Sequence, residues 1–149
     1  MISVRVATST DAEALASLSG QLGYPADAAA VLRRMGGGLI DHGVVLVAVD
    51  PQGAVCGFAH AEPRCLLIAE PFVELAALVV SDNGRGSGAG ATLLAAVETW
   101  TREHGIASVR VRSNVLRERA HRFYLRGGYI EKKRQAVFLK RLQARDERT

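Results

Sequence analysis

The feature that most constrains this chain is Val73-Glu-Leu-Ala-Ala-Leu-Val-Val80, which runs directly into Ser81-Asp-Asn-Gly-Arg-Gly-Ser-Gly-Ala-Gly90. The first eight residues, apolar and β-branched with one acid, read as a buried strand. Beyond the glycines, Leu93, Val97 and Trp100 recur at i, i+4 and i+7 with Leu94 beside them, which predicts a helix. Strand, glycine turn and helix together form a device for holding phosphate. The first N–H groups of the helix have no intrahelical partner, and the helix dipole puts partial positive charge there. Glycines let the backbone approach a ligand closely, and Arg85 adds a planar fork of donors. The expected ligand is therefore anionic and phosphorylated.

Three phosphate turns compete for the stretch. A P-loop needs Gly-Lys-Ser/Thr at the helix start, and no lysine follows these glycines. The dinucleotide pattern G-x-G-x-x-G/A matches as Gly86-Ser-Gly88-Ala-Gly90-Ala91, but it wants an acid at the end of the next strand. That strand, Ser108-Val-Arg-Val-Arg112, runs instead into Ser113 and Asn114. The turn also lies past the chain's midpoint, too late for a doubly wound dinucleotide domain. The third pattern fits: Arg85-Gly-Ser-Gly88-Ala-Gly90 has the form Arg/Gln-x-x-Gly-x-Gly/Ala and resembles the acetyl-CoA pyrophosphate loop of the GNAT (GCN5-related) N-acetyltransferases. On that resemblance Arg85, Gly86, Ser87, Gly88, Ala89 and Gly90 hold the diphosphate of acetyl-CoA.

A second segment, Asn114-Val-Leu-Arg-Glu-Arg-Ala-His-Arg-Phe-Tyr-Leu-Arg-Gly-Gly-Tyr129, is similar to the other signature of that family, Asn…Ala-x-x-Phe-Tyr-x-x-x-Gly-Phe/Tyr. Asn114, Ala120, Phe123, Tyr124, Gly128 and Tyr129 occupy its positions. The wording most resembles small-amine acetyltransferases of the aminoalkylphosphonate and aminoglycoside type. Three departures stand out. Ser81-Asp82-Asn83-Gly84 replaces the Pro and larger residue that often precede the arginine, which predicts a looser loop. Ser87 stands where a basic residue is frequent, which removes a phosphate contact. Gly127 beside Gly128 loosens the end of the tyrosine helix.

Taken in order, Ile2-Ser-Val-Arg-Val6 alternates as a first strand, and Thr10-Asp-Ala-Glu13 reads as a capping box for a helix through Leu15, Leu18 and Leu22. A second helix through Val31, Leu32 and Met35 meets Gly36-Gly-Gly38. Residues 43–49 and 54–60 flank Asp50-Pro-Gln-Gly53 and predict an antiparallel hairpin. Residues 62–71 read as a loop with an apolar patch at Cys65-Leu-Leu-Ile68. After the tyrosine helix, Tyr129-Ile and Ala136-Val-Phe-Leu139 read as closing strands. The expectation is an α/β (α+β) fold: a single GNAT-like domain, a mixed, mostly antiparallel sheet with helices on both faces, in the order β-α-α-β-β-β-α-β-α-β-β. It spans residues 1–142, with 143–149 a polar tail.

Composition narrows the partners. The 149 residues carry a net charge of +4 with 5% aromatic content, and Glu103, Glu118, Glu131, Asp146 and Glu147 interrupt the basic second half. That pattern argues against nucleic acid and for attraction of an anionic cofactor. No 18-residue apolar run exists, so no membrane span is expected, and with no signal peptide in evidence a cytoplasmic location follows. Cys56 and Cys65 have no metal-ligand spacing and read as reduced packing residues, so no metal is expected.

Acetyl transfer from a thioester to an amine needs a neutral amine, relief of charge on a tetrahedral oxyanion and a proton for the departing thiolate. Glu74, inside the apolar strand and partly desolvated by Phe72 and Leu75, is the candidate base; its alternative role is a rim carboxylate that attracts the amine. Glu62 and Glu70 stand behind it as substitutes. The resemblance implies that Tyr124 is the acid, that the backbone of Leu78, Val79 and Val80 meets the thioester and pantetheine, and that Asn114 bonds the cofactor arm. His60 reads as a spacer rather than a lining residue of the acceptor site. The expected activity is acetyl-CoA-dependent N-acetylation of a small-molecule primary amine by direct transfer. Protein lysine or N-terminal acetylation and a non-catalytic acetyl-CoA-binding regulatory module are the alternatives. The resemblance admits a homodimer, which no stretch of the sequence specifies.

Overall fold

The structure, a computed structural model, describes residues 1–39, 42–113 and 117–143. Its contacts divide the chain into two compact units, Met1–Arg112 and Ser113–Thr149. The first contains β1 (Ser3–Val6), α1 (Ala12–Leu22), α2 (Ala28–Arg34), β2 (Val44–Val49), β3 (Val55–Arg64), β4 (Phe72–Val80), α3 (Ala89–Glu103) and β5 (Val109–Val111). The second contains α4 (Glu118–Arg126).

The five strands lie in sequence order in one sheet, β1-β2-β3-β4-β5. The first three pairings are antiparallel and β4–β5 is parallel. The parallel pairing follows from the connection, because only a crossover helix (here α3) brings the chain back in the same direction. The β2–β3 turn closes as its residues require: Asp50 Oδ1 accepts from the N–H groups of Gln52 and Ala54, both at 2.9 Å.

Strand alternation sorts the core into two layers. Val45, Val47, Phe58 and Val79 face Leu15 and Leu18 of α1, with Leu22, Val31 and Met35 partly buried against them. Residues of opposite parity face α3, whose Leu93 and Val97 are wholly buried. A Cβ on Gly57 would stand 3.2 Å from Leu93 Cδ1 and 2.8 Å from the Val79 carbonyl oxygen, so this helix packs on bare backbone. Helices on both faces, a mixed sheet and the order from β1 through α4 are as expected.

Four details differ. The capping box lies two residues early: Thr8 is the N-cap of a 3₁₀ turn, Ser9–Asp11, and its N–H donates to Asp11 Oδ2 at 2.8 Å. After α2 the backbone does not stop at the glycines but widens into a π-helical turn over Met35–Leu39. β3 runs on to Arg64, which puts Glu62 in a strand instead of a loop. Finally, residues 129–143 hold neither helix nor strand, so the two closing strands are absent from the described residues. A strand needs a neighbouring strand for its backbone groups, and among the described residues none pairs with Tyr129-Ile or Ala136-Val-Phe-Leu139; Val137, Phe138 and Leu139 stay 79–94% exposed. Between them the polar run holds a local pair, Arg134 Nε to Glu131 Oε1 at 2.6 Å.

β1 is tied to α1 by a fork–fork pair. Arg5 Nη1 and Nη2 donate to Asp11 Oδ2 and Oδ1 at 2.8 and 2.9 Å, and Asp11 is 5% exposed. The Arg5 bonds hold the Asp11 carboxyl down to about 2 against an ordinary 3.8, outweighing its burial, with the Thr8 N–H adding to the effect. A carboxyl whose pKa is lower folded than unfolded stabilises the fold fully above its unfolded pKa and loses that contribution as pH falls toward the folded value. Asp11→Asn is expected to cost about 1–2 kcal/mol at neutral pH, allowing for solvent screening of the half-exposed arginine. The gap from wild type should shrink between about pH 4 and about pH 2, as read by denaturant midpoints across that range.

Candidate active site

The turn between β4 and α3 is built from its own short bonds. The Ser81 side chain accepts from the Gly84 N–H at 3.1 Å, closing a 3₁₀ turn over Asp82–Gly84. The Asp82 N–H donates to Gln21 Oε1 at 3.2 Å, and the Ser87 N–H to the Gly84 carbonyl at 3.2 Å. Ser81 and Asp82 thus fasten the loop that their sequence led us to expect to be loose. Gly86 and Gly88 take φ of 83° and 84°, and a Cβ on either would meet nothing within 4 Å. Gly88 is the N-cap of α3. The Ala89 N–H is taken by Ser87 Oγ at 3.3 Å, whereas those of Gly88, Gly90 and Ala91 enter no hydrogen bond among the described residues. The result is bare backbone, open space and free donors at the positive end of a 15-residue helix. Those features fit a diphosphate. Arg85 sits at the rim, its Nη2 3.2 Å from Asp82 Oδ1 in an exposed pair that a phosphate could replace at little cost.

Upstream of the turn the sheet opens. β4 pairs with β5 only at Val73, Glu74 and Leu75. On the other side the register with β3 skips Ala76, since Ala61 faces Leu75 while His60 faces Ala77. That bulge bends β4 where its second partner ends. Leu78, Val79 and Val80 then pair with Ala59, Phe58 and Gly57 on one side alone among the described residues. Their other edge has no strand partner among the described residues, which makes it the kind of edge that can pair with the amides of a ligand.

The register gathers charge on the α1 side of the sheet at this point. Glu74 lies directly across from Glu62 and beside Arg110. The Glu74 side chain is 16% exposed, with Arg112 Nε 3.3 Å from Oε1. Arg64 Nη1 stands 3.5 Å from Glu62 Oε1, and the Arg110 guanidinium covers the Phe72 ring at 4.0 Å. His60, two residues before Glu62 on the same face, has a buried Nε2 with no hydrogen-bond partner among the described residues. Burial lowers the His60 pKa, and Glu62 and then Glu74 oppose that shift. Neither the pairing of Glu74 with Arg112 nor the facing of the two glutamates could be foreseen, because the β3–β4 register crosses a seven-residue loop of no fixed turn type.

In the second unit Tyr124 lies on α4, its ring edge-on to Phe123 at 5.3 Å and Tyr129 at 5.8 Å. The Tyr129 N–H donates to the Tyr124 carbonyl at 3.0 Å, and Gly128 turns the chain at φ 89°. Burial pushes the Tyr124 phenol up to about 12, with Arg117 pulling the other way. At neutral pH it keeps its proton. Asn114 lies outside the described residues. Among the described residues no three His, Cys, Asp or Glu side chains group as metal ligands, and no helix is long and apolar enough to cross a membrane.

Residues 17–129 match the family described as acetyltransferase (GNAT). The chain is similar to an aminoglycoside N(6')-acetyltransferase type 1 of Stenotrophomonas maltophilia, at 34% identity over 140 residues that cover 91% of this chain and 90% of that protein. Two solved structures share its fold. The aminoglycoside 6'-N-acetyltransferase AAC(6')-Ih of Acinetobacter baumannii gives a TM-score of 0.83 at 19% identity, covering 96% of this chain and all of that one. AAC(6')-Iy in complex with the bisubstrate analogue CoA-S-monomethyl-acetylneamine gives 0.80 at 25% identity, covering 95% and 99%. On the family match and the 34% relative, this chain belongs to the acetyltransferase (GNAT) family.

Proposed function

We propose that this acetyl-CoA-dependent N-acetyltransferase acetylates a primary amine of a small polyamine of the aminoglycoside class by direct transfer. The observation that carries the reading is the Glu62–Glu74 register: two carboxylates face each other beside the opened edge of β4, where a cationic amine would be drawn. The aminoglycoside acetyltransferase at 34% identity supports the same class. Acetyl-CoA supplies the activated acyl group. The free N–H groups of Gly88, Gly90 and Ala91, with Arg85 and the surfaces of Gly86, Ser87 and Ala89, would hold its diphosphate. The one-sided edge at Leu78, Val79 and Val80 would meet the pantetheine and the thioester oxygen.

The transfer balances on two side chains. Glu74 takes a proton from the amine, whose lone pair then forms the C–N bond at the acetyl carbon. Backbone N–H groups of β4 stabilise the tetrahedral oxyanion. As the C–S bond breaks, the thiolate takes the proton of Tyr124 and the nitrogen gives up its remaining extra proton to solvent. Solvent then reprotonates Tyr124 and removes the proton from Glu74. A phenol pushed up to about 12 is still protonated when the thiolate leaves, as an acid must be.

Thiol release from acetyl-CoA with a panel of amines tests the activity. Wild type should respond to aminoglycosides and less to monoamines, and an enzyme responding only to peptide amines would overturn the acceptor class. Glu74→Gln is expected to lower kcat about a hundredfold or more with the acetyl-CoA KM unchanged, and Tyr124→Phe to lower kcat about tenfold or more. Gly88→Val should raise the acetyl-CoA KM about tenfold or more, since a side chain would then fill the open space over the donors. Its strain at positive φ costs about 1–2 kcal/mol, so thermal unfolding is followed in parallel.

A further inference from the structure

We propose that His60 is an acceptor-binding residue, whose Nε2 receives a hydrogen bond from an N–H of the substrate amine and sets that nitrogen beside Glu74. The inference rests on the amine-acetylation reading above and adds a residue to the same site.

Three observations lead to it. First, His60 faces Ala77, one step past the Ala76 bulge and level with the start of the one-sided edge of β4. No other imidazole of the described residues occupies the sheet at that point. Second, its Nε2 is buried and has no partner among the described residues, although leaving a buried acceptor unpaired costs about 1–3 kcal/mol. A core that needed only a spacer would do better with leucine or methionine. Third, the neighbours on its face are the opposed Glu62 and Glu74, which like-charge repulsion disfavours. Their arginines compensate only in part: Arg64 and Arg112 are 40% and 71% exposed and stand 3.5 and 3.3 Å away. A cationic amine entering here would ease the repulsion and, once neighbouring side chains part to uncover the buried Nε2, supply the missing donor.

The protonation state agrees. Burial keeps the ring neutral, and in the tautomer with its proton on Nδ1 the Nε2 lone pair is free to accept. Glu62 would contact the amine's positive charge while Glu74 takes its proton, so three side chains on two strands would define the nitrogen's position.

The decisive variant is His60→Leu, which removes the acceptor and puts an apolar side chain at this half-buried position. With neamine and acetyl-CoA as substrates, kcat/KM for neamine should fall about tenfold or more, acetyl-CoA KM should stay within about twofold, and the melting temperature should hold or rise. Loss of binding together with a fold no weaker is a combination that a purely structural histidine would not produce. An active His60→Leu enzyme with unchanged neamine kcat/KM would overturn the proposal while leaving the proposed function standing. If wild type itself releases no thiol with neamine or any other amine, both fall. Should the leucine variant not fold, the wild-type chain decides: the ¹⁵N resonance of His60 Nε2, assigned with His60→Gln, should move on adding neamine and not on adding coenzyme A alone. A resonance unmoved by neamine would overturn the proposal.

Discussion

The structure turns on where β4 loses its second partner. A strand inside a sheet satisfies its backbone on both sides, and the donors and acceptors of an abandoned edge must find other partners. Here β5 accompanies β4 for three residues, and the bulge at Ala76 falls immediately after the last of them. The bulge re-aims the strand, and the three-residue length of β5 sets where the edge begins. Everything assigned to the cofactor lies downstream of that point in chain order: first the edge at Leu78, Val79 and Val80, then the glycine turn, then the start of α3. Everything assigned to the amine lies on the α1 side of the sheet at the same level. On the proposed reading, one irregularity in one strand would divide the two substrates between an edge and a face.

Much of this could be read from the sequence, because the glycine turn and the strand before it are local. Apolar runs, turn residues and helix periodicity gave β1 through α4 in their order, and the 34% relative bears out the family that the two motifs suggested. What escaped was non-local. The β2–β3 hairpin could be aligned because its turn fixes the register, and Asp50 takes the bonds its position implies. The β3–β4 pairing spans a longer loop, so the extension of β3 to Arg64, the facing of Glu62 with Glu74 and the placement of His60 at the bulge were out of reach. The missing closing strands teach the same lesson from the other side. Val137, Phe138 and Leu139 have strand propensity, but propensity without a paired neighbour does not make a strand. The capping box slipped for a different reason: both Thr8-Ser-Thr-Asp11 and Thr10-Asp-Ala-Glu13 satisfy the pattern, and Arg5 chose between them.

Charge on the working face is balanced rather than basic. Although the chain carries +4 overall, Arg110 is spent on the Phe72 ring, Arg112 on Glu74 and Arg64 on Glu62. Each arginine keeps a carboxylate or ring in place without burying a net charge, and the exposed ones can swing aside as a cation approaches. Arg85 would play the corresponding part at the turn, resting on Asp82 through an exposed pair that an arriving phosphate would outcompete. Both substrates would thus displace weak surface pairs, so neither has to overcome a strong one.

The glycines of the turn look alike in sequence but differ in cause. Gly84 is small because the fold is full: a Cβ there would stand 3.0 Å from Ser81 Oγ, 3.3 Å from Val80 Cγ1 and 3.4 Å from Cys56 Cβ. Gly86 and Gly88 have open space instead, and what requires glycine is the left-handed backbone that points the turn's surface outward. A glycine kept by crowding belongs to the core, and removing it would damage folding first. A glycine kept by backbone conformation, over empty space and beside unpaired donors, has nothing in the protein to serve except the shape of that empty space. That distinction is what favours the proposed reading of the turn at the start of α3 as a binding surface rather than a convenient way to begin a helix.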